Sequence, residues 1–341
     1  MRINIPPITR ALLLSTIFFT VLYALARWNA LSQNAGDATP AFSPSIPFLT
    51  LVPSMSVYYP WTIVTSTFVE QNVLNLLINT TAVYLSGKYL ERAWGSRDFA
   101  TIVVVATVVP NLLVIFTYVL WAVVTRNTTR ADTPIAGAIS LQAAFLVAFK
   151  NLVPEHTVSL YKGTIKVRVK HFPFIFLILN TFSGIVFGTD TALLLGWYGL
   201  ISTFIYLRFF KYQSEVGTKG DASETFAFAT FFPNVIQPFV SIFCDYIYNL
   251  ACQLKIISPF SDEAIASSNE QATAREGGLP VAINQNRVAK LASKQEEAER
   301  RRQLALKALD ERLRNPASSH DPTPDSTSTV PAAPPSEQPS M

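Results

Sequence analysis

Histidine and cysteine are nearly missing from this chain: three of the first and two of the second in 341 residues. Cys244 and Cys252 sit eight apart, with no CxxC pair and no Cys/His cluster around them. That excludes a disulfide framework and a metal centre, each of which needs a closely spaced set of partners. The three imidazoles, His156, His171 and His320, lie outside every long apolar run, so chemistry in the apolar part would have no imidazole base. Charge is scarce as well. Asp, Glu, Lys and Arg make up 15% of the chain, where soluble proteins average about 25%. No P-loop, HExxH helix or paired aspartate motif is present, so no cofactor and no nucleic-acid partner is expected.

What is abundant is apolar sequence: half of the residues are hydrophobic and the mean hydropathy is positive. Long uncharged runs at this density indicate a protein that crosses a bilayer repeatedly. Six spans are read at about 11–26, 64–85, 99–124, 134–149, 173–188 and 191–210. The first follows Pro6-Pro7 and has no small-residue cleavage site after it, so it reads as a retained signal anchor. At sixteen residues it is near the lower limit for crossing, which suits the thinner membranes of the early secretory pathway. Pro110-Asn111 is expected to kink the third span. Residues 158–170 alternate like a β-hairpin with Gly163 near its turn. Glycines recur in the later spans, at Gly137, Gly184, Gly188, Gly196 and Gly199, and read as sites of close helix packing.

Loop cations orient the bundle. With the N-terminus in the cytosol, that side receives Arg2, Arg10, Lys88, Arg92, Arg97, Lys150, Lys162, Lys166, Arg168, Lys170, Arg208 and Lys211, twelve in all. The luminal side receives three, Arg27, Arg126 and Arg130, so both termini are placed in the cytosol. After the bundle (1–211), residues 212–257 form a juxtamembrane segment. There Ser241, Asp245, Asn249 and Gln253 recur every fourth residue as the polar stripe of an amphipathic helix. That helix either spans or lies on the membrane, and Asp245 and Lys255 favour the interface. Residues 258–341 form a cytosolic tail with a charged helix at 287–314 and a Pro/Ser-rich, disordered end at 316–341.

One stretch, 61–99, carries more than hydrophobicity. It holds Trp61-Thr62, Phe68, Glu70-Gln71-Asn72, Asn75, Asn79, Gly87, Leu90-Glu91 and Gly95-Ser96-Arg97-Asp98-Phe99. Asn75 and Asn79, four apart, share one side of a helix. Carboxamides and a carboxylate are costly in a bilayer, so Glu70, Asn72, Asn75 and Asn79 are expected on an interior polar face. The order of these residues resembles the second span of the rhomboid intramembrane proteases. Its wording is closer to a rhomboid-like branch of Golgi membrane proteins, the transmembrane protein 115 family.

The resemblance implies an all-α polytopic fold, a rhomboid-like six-helix bundle with a cytosolic tail. It also locates the family's chemistry, a Ser on span four activated by a His on span six. The Gly-x-Ser-Gly-Ala pattern falls on Pro134-Ile135-Ala136-Gly137-Ala138, which puts Ala136 at the nucleophile position. The base position falls at about Gly196, the span-two His position is Asn75, and Asn79 is kept. Ser140 is the one hydroxyl nearby, and without a base it is inert. The expectation is a catalytically inactive, rhomboid-like scaffold of the Golgi membrane, cycling through the endoplasmic reticulum. The resemblance implies a role in retrograde Golgi-to-ER transport, with a Golgi tethering complex recruited through the tail. The alternative is a binder of client transmembrane helices in ER quality control. Beyond the lipid bilayer, the partners expected are such client helices, the tethering complex and a second copy of the chain.

Overall fold

The computed structural model describes residues 5–33, 46–153, 157–160, 165–188, 190–213, 218–255 and 257–276. The charged helix expected at 287–314 and the Pro/Ser-rich end at 316–341 lie outside them. Six helices make the bundle: α1 (Pro7–Gln33), α3 (Val73–Trp94), α4 (Ser96–Thr125), α5 (Ile139–Leu152), α6 (Phe172–Phe187) and α7 (Asp190–Ile205). A one-turn helix, α2 (Thr62–Thr65), precedes α3. Among the described residues four segments are long and apolar enough to cross a membrane, Pro7–Gln33, Ser96–Thr125, Val169–Val186 and Asp190–Phe210, with α5 a shorter apolar helix.

The helix limits depart from the sequence reading where polar residues interrupt apolar ones. α1 runs for 27 residues rather than sixteen, so its length no longer argues for a thin membrane. α3 starts at Val73, not at 64, because Glu70, Gln71 and Asn72 stop the preceding short helices. α5 starts at Ile139, so Pro134–Ala138 enters as non-helical chain, bridged to Leu51 through Ile135 and bent at Gly137-Ala138. α4 continues through Pro110 as one helix, and Asn111 turns its amide onto Ile63 O, Ser66 Oγ and Thr67 Oγ1 at 2.6–3.3 Å. The expected hairpin is present as β1 (Thr157–Leu160) paired antiparallel with β2 (Ile165–Arg168).

Two glycine contacts set the packing. A Cβ on Gly199 would lie 2.6 Å from the Ser140 carbonyl oxygen, so α7 crosses α5 backbone to backbone. A Cβ on Gly87 would lie 2.8 Å from Thr9 Oγ1, so the Thr9 side chain of α1 packs directly on the α3 backbone. Gly196 and Gly184 are buried within their helices. Gly188 has another role than packing: it ends α6 at φ 66°, with nothing near its missing Cβ. Phe99 stacks on Phe145 at 5.9 Å in the largest apolar cluster.

The α1–α3 contact is fixed by a carboxylate. Glu91, in the last turn of α3, accepts from Ile8 N (3.0 Å), Thr9 N (2.7 Å), Thr9 Oγ1 (2.8 Å) and Ser96 Oγ (2.7 Å). It thereby caps the free N–H groups that open α1 and ties in the start of α4.

Beyond α7 the chain turns back over the end of the bundle. Phe226, Phe228 and Phe231 close on Phe204 of α7, and Phe232 on Phe174 of α6. Lys150 is buried beneath them at 1% exposure. Its ammonium donates to Thr230 Oγ1 at 2.7 Å and stands 3.3 Å from the centre of the Phe231 ring. Then follow α8 (Gln237–Gln253) and α9 (Asp262–Glu276). α8 has no buried residue, and Phe239, Phe243, Tyr246 and Leu250 stand out from one side of it. Its other side meets the bundle, Tyr248 stacking with Phe209 and Phe260. Burial, and then Asp245, push the Cys244 thiol up, away from the reactive thiolate form. The expected polar tail is thus folded at its beginning: Ser268 and Asn269 of α9 accept from Ala222 N and Glu224 N.

Glu91→Ala is expected to lower unfolding free energy by about 3 kcal/mol, because it strands two N–H groups as well as breaking bonds; Glu91→Gln should cost less. Thermal unfolding in detergent checks both, and parent-like melting of Glu91→Ala would deny the cap its role. By the same measurement Gly199→Val should fail to give a folded bundle, while Gly188→Ala should cost only about 1 kcal/mol.

Candidate functional site

The polar residues singled out in the sequence do not form one helix face. Asn72 and Asn75 are exposed, and Glu70 lies in the extended turn ahead of α3; among them Glu70 and Asn79 are buried. What assembles is a site made of three chain segments: Ser66–Glu70, the Pro134–Ala138 entry to α5, and the side of α3 that carries Asn79.

These segments hold one another through backbone groups. Ile135 exchanges hydrogen bonds with Leu51, at 2.8 and 2.9 Å, and Gly137 N donates to Ser66 O at 3.0 Å. Glu70 N donates to Thr20 Oγ1 of α1 at 3.1 Å. The Glu70 carboxylate, in a residue 4% exposed, accepts from Ala138 N at 3.0 Å and from the Asn79 amide. Asn79 in turn accepts from the Gln142 amide of α5. The carboxylate therefore sits against the N-terminus of α5, where free N–H groups and the helix dipole favour an anion. Gly137 holds φ 113°, a conformation that favours glycine, while a Cβ there would meet the carboxylate only at ordinary contact distance, 3.6 Å.

The positions that would carry hydrolysis are occupied otherwise. Ala136 packs its methyl with Tyr23, Ile46, Leu49 and Val69. Gly196 is buried, and the space where its side chain would start is bordered by Asn180 and Ile139 at 3.8–3.9 Å. The Ser140 hydroxyl is at 0% exposure and has no hydrogen-bond partner among the described residues, shut beneath the crossing at Gly199. His171 immediately precedes α6, whereas Ala138 opens α5. His156 and His320 lie outside the described residues. Among the described residues no three His, Cys, Asp or Glu side chains gather as metal ligands.

Chemically, the arrangement presents hydrogen-bond donors to an oxyanion and fills them with the chain's own carboxylate. Sequence reasoning missed Gln142, Thr20 and the Ala138 N–H. Gln142 carried a signal, being a carboxamide inside an otherwise apolar helix; the backbone donor carried none. A cavity of about 290 Å³ between α1 and α3 leads to this point, lined by Thr20, Tyr23, Arg27, Trp28, Asn72 and Leu76 with Glu70.

With that geometry in place, relatives can be compared. Residues 10–315 match the model of a family described as eukaryotic integral membrane protein (DUF1751). The chain is 29% identical over 301 residues to Rhomboid-like protein 19 of Arabidopsis thaliana, covering 87% of this chain and 91% of the relative. It is 32% identical over 261 residues to Transmembrane protein 115 of Homo sapiens, covering 75% and 68%. It is 30% identical over 293 residues to the Transmembrane protein 115 homolog of Saccharomyces cerevisiae, covering 79% and 81%. A rhomboid-like bundle, a family match over most of the length and relatives of these names agree: the chain belongs to the DUF1751 family of eukaryotic integral membrane proteins, the rhomboid-like and Transmembrane protein 115 group.

Proposed function

We propose that this protein is a catalytically inactive, rhomboid-like scaffold of the Golgi membrane, acting in retrograde Golgi-to-ER transport and recruiting tethering factors through its cytosolic tail. The observation that carries the loss of catalysis is the Glu70 carboxylate bonded to Asn79 and the Ala138 N–H, beside a nucleophile position that holds Ala136. Acyl transfer needs empty donors to stabilise an oxyanion and a base to activate a hydroxyl. Here the donors are engaged, and no described imidazole reaches them.

The Golgi assignment and the transport role rest on the resemblance to the transmembrane protein 115 family. The loop-cation bias supports a tail in the cytosol, within reach of soluble machinery. Because α9 is bonded to the strap ahead of α8, the free dock begins after Glu276 rather than at Ser258.

Two experiments test this reading. Ala136→Ser should leave the purified protein unable to cut a transmembrane peptide, as the parent is; cleavage by either would end the proposal of inactivity. Proximity labelling from the C-terminus, imaged against Golgi and ER markers, should mark tethering factors at the Golgi. A chain lacking 277–341 should insert normally and lose that labelling. Labelling of misfolded membrane clients in the ER would favour the client-binding alternative instead.

A further inference from the structure

Arg27 and Glu70 line the same cavity of about 290 Å³, and neither has an opposite charge to pair with among the described residues. Glu70 accepts only from neutral groups, the Asn79 amide and the Ala138 N–H. Arg27 makes no hydrogen bond or ion pair with any described residue. A second polar cavity, between α4 and α7, is arranged differently. Its two charges, Arg130 and Asp190, close on each other at 3.2 Å.

The fold spaces the two residues along α1. Glu70 N is bonded to Thr20, and Thr20 and Arg27 are seven residues apart on α1, about 10 Å along its axis. A buried carboxylate within a membrane bundle is costly and marks a functional site by default, and Glu70 is 4% exposed. Arg27 stands toward the end of α1 that the loop cations place at the lumen, at the height of lipid headgroups. Two charges of opposite sign, separated along one cavity, are complementary to a ligand that carries both signs. The space corresponds to about ten waters of liquid volume, enough for a phosphate and a short amine. It does not admit a helix, which is about 10 Å across. Beside the cavity, Leu25, Trp28, Leu31, Val73 and Leu77 present exposed apolar surface on α1 and α3.

We propose that this cavity binds the headgroup of a zwitterionic phospholipid carrying a primary ammonium. The phosphate is held by the Arg27 guanidinium and the ammonium by Glu70. The acyl chains run along the apolar sides of α1 and α3. Arginine matches phosphate geometry with paired donors, and a primary ammonium offers the hydrogen bonds that a trimethylammonium lacks. This site is independent of the tethering proposal: it asks only that the bundle lie in a bilayer.

Native mass spectrometry of the full chain in mild detergent, supplied with one lipid at a time, tests it. Phosphatidylethanolamine should be retained about tenfold more than phosphatidylcholine or phosphatidylglycerol. Arg27→Gln and Glu70→Gln should each erase that preference, while Asp190→Asn in the other cavity should leave it intact. Arg27 bonds to no described residue, so its variant folds even if Glu70→Gln does not. Soluble phosphoethanolamine at millimolar concentration should fail to displace the lipid; ready displacement would make the ligand water-soluble and overturn the lipid assignment. Equal retention of phosphatidylglycerol, or an unchanged preference in Arg27→Gln, would also overturn it.

Discussion

Irregular backbone inside a membrane bundle survives only where each N–H and C=O finds a partner, because lipid offers none. This constraint organises the protein from Leu51 to Ala138. The helices begin late, at Val73 and Ile139, and the non-helical lengths ahead of them need partners. The partners are the Leu51–Ile135 bridge, the Ser66–Gly137 bond, Asn111 on Ile63 and Glu70 on Ala138. Glu91 meets the same need at the opening of α1. In both places a carboxylate is used to satisfy backbone N–H groups, which explains why two acids are tolerated where charge is otherwise rare.

The helical architecture was legible in the sequence because apolar run length is a bulk property. The resemblance in 61–99 was legible because it is a linear order of residue types. What escaped was where helices begin and which side chains point inward. A span can be drawn through Glu70-Gln71-Asn72 on average hydropathy, yet those residues stop the helix locally. Asn75 and Asn79 share a helix side by spacing, but only Asn79 faces Gln142 and Glu70; Asn75 is exposed. Periodicity ranks faces and does not say how wide a contact is. The Leu51–Ile135 bridge and the Ala138 donor are backbone features, to which side-chain patterns are blind.

The candidate site shows how a carboxylate can complete a turn between helices. The turn before α5, the donors near it and the α5–α7 crossing at Gly199 are interlocked, so removing one loosens the others. The Ala138 N–H and the Asn79 amide, left inside the bundle without acceptors, would cost about 1–3 kcal/mol each. Glu70 supplies the acceptor from within the chain. The carboxylate thus belongs to the fold on one side and to an open cavity on the other. Its Ala138 and Asn79 bonds are structural, and together with Arg27 it lines the cavity between α1 and α3.

The other end of the bundle is closed by polar and aromatic contacts. Lys150 is buried against Thr230 and Phe231, and Arg208 donates to the Asp221 and Ser223 carbonyls at 2.6 Å. Asn151 donates to Asp221 at 2.6 Å. Residues 219–233 are therefore joined to α5 and α7 by charge-assisted and aromatic contacts, not by loose packing. α9 is attached to the same strap through Ser268 and Asn269. The stretch from 219 to 276 is therefore part of the folded body, held by the same kind of buried polar bond that holds the turn ahead of α5. A hydrophilic composition does not by itself mark the end of the fold, because backbone N–H groups ahead of α8 take their acceptors from polar side chains of α9.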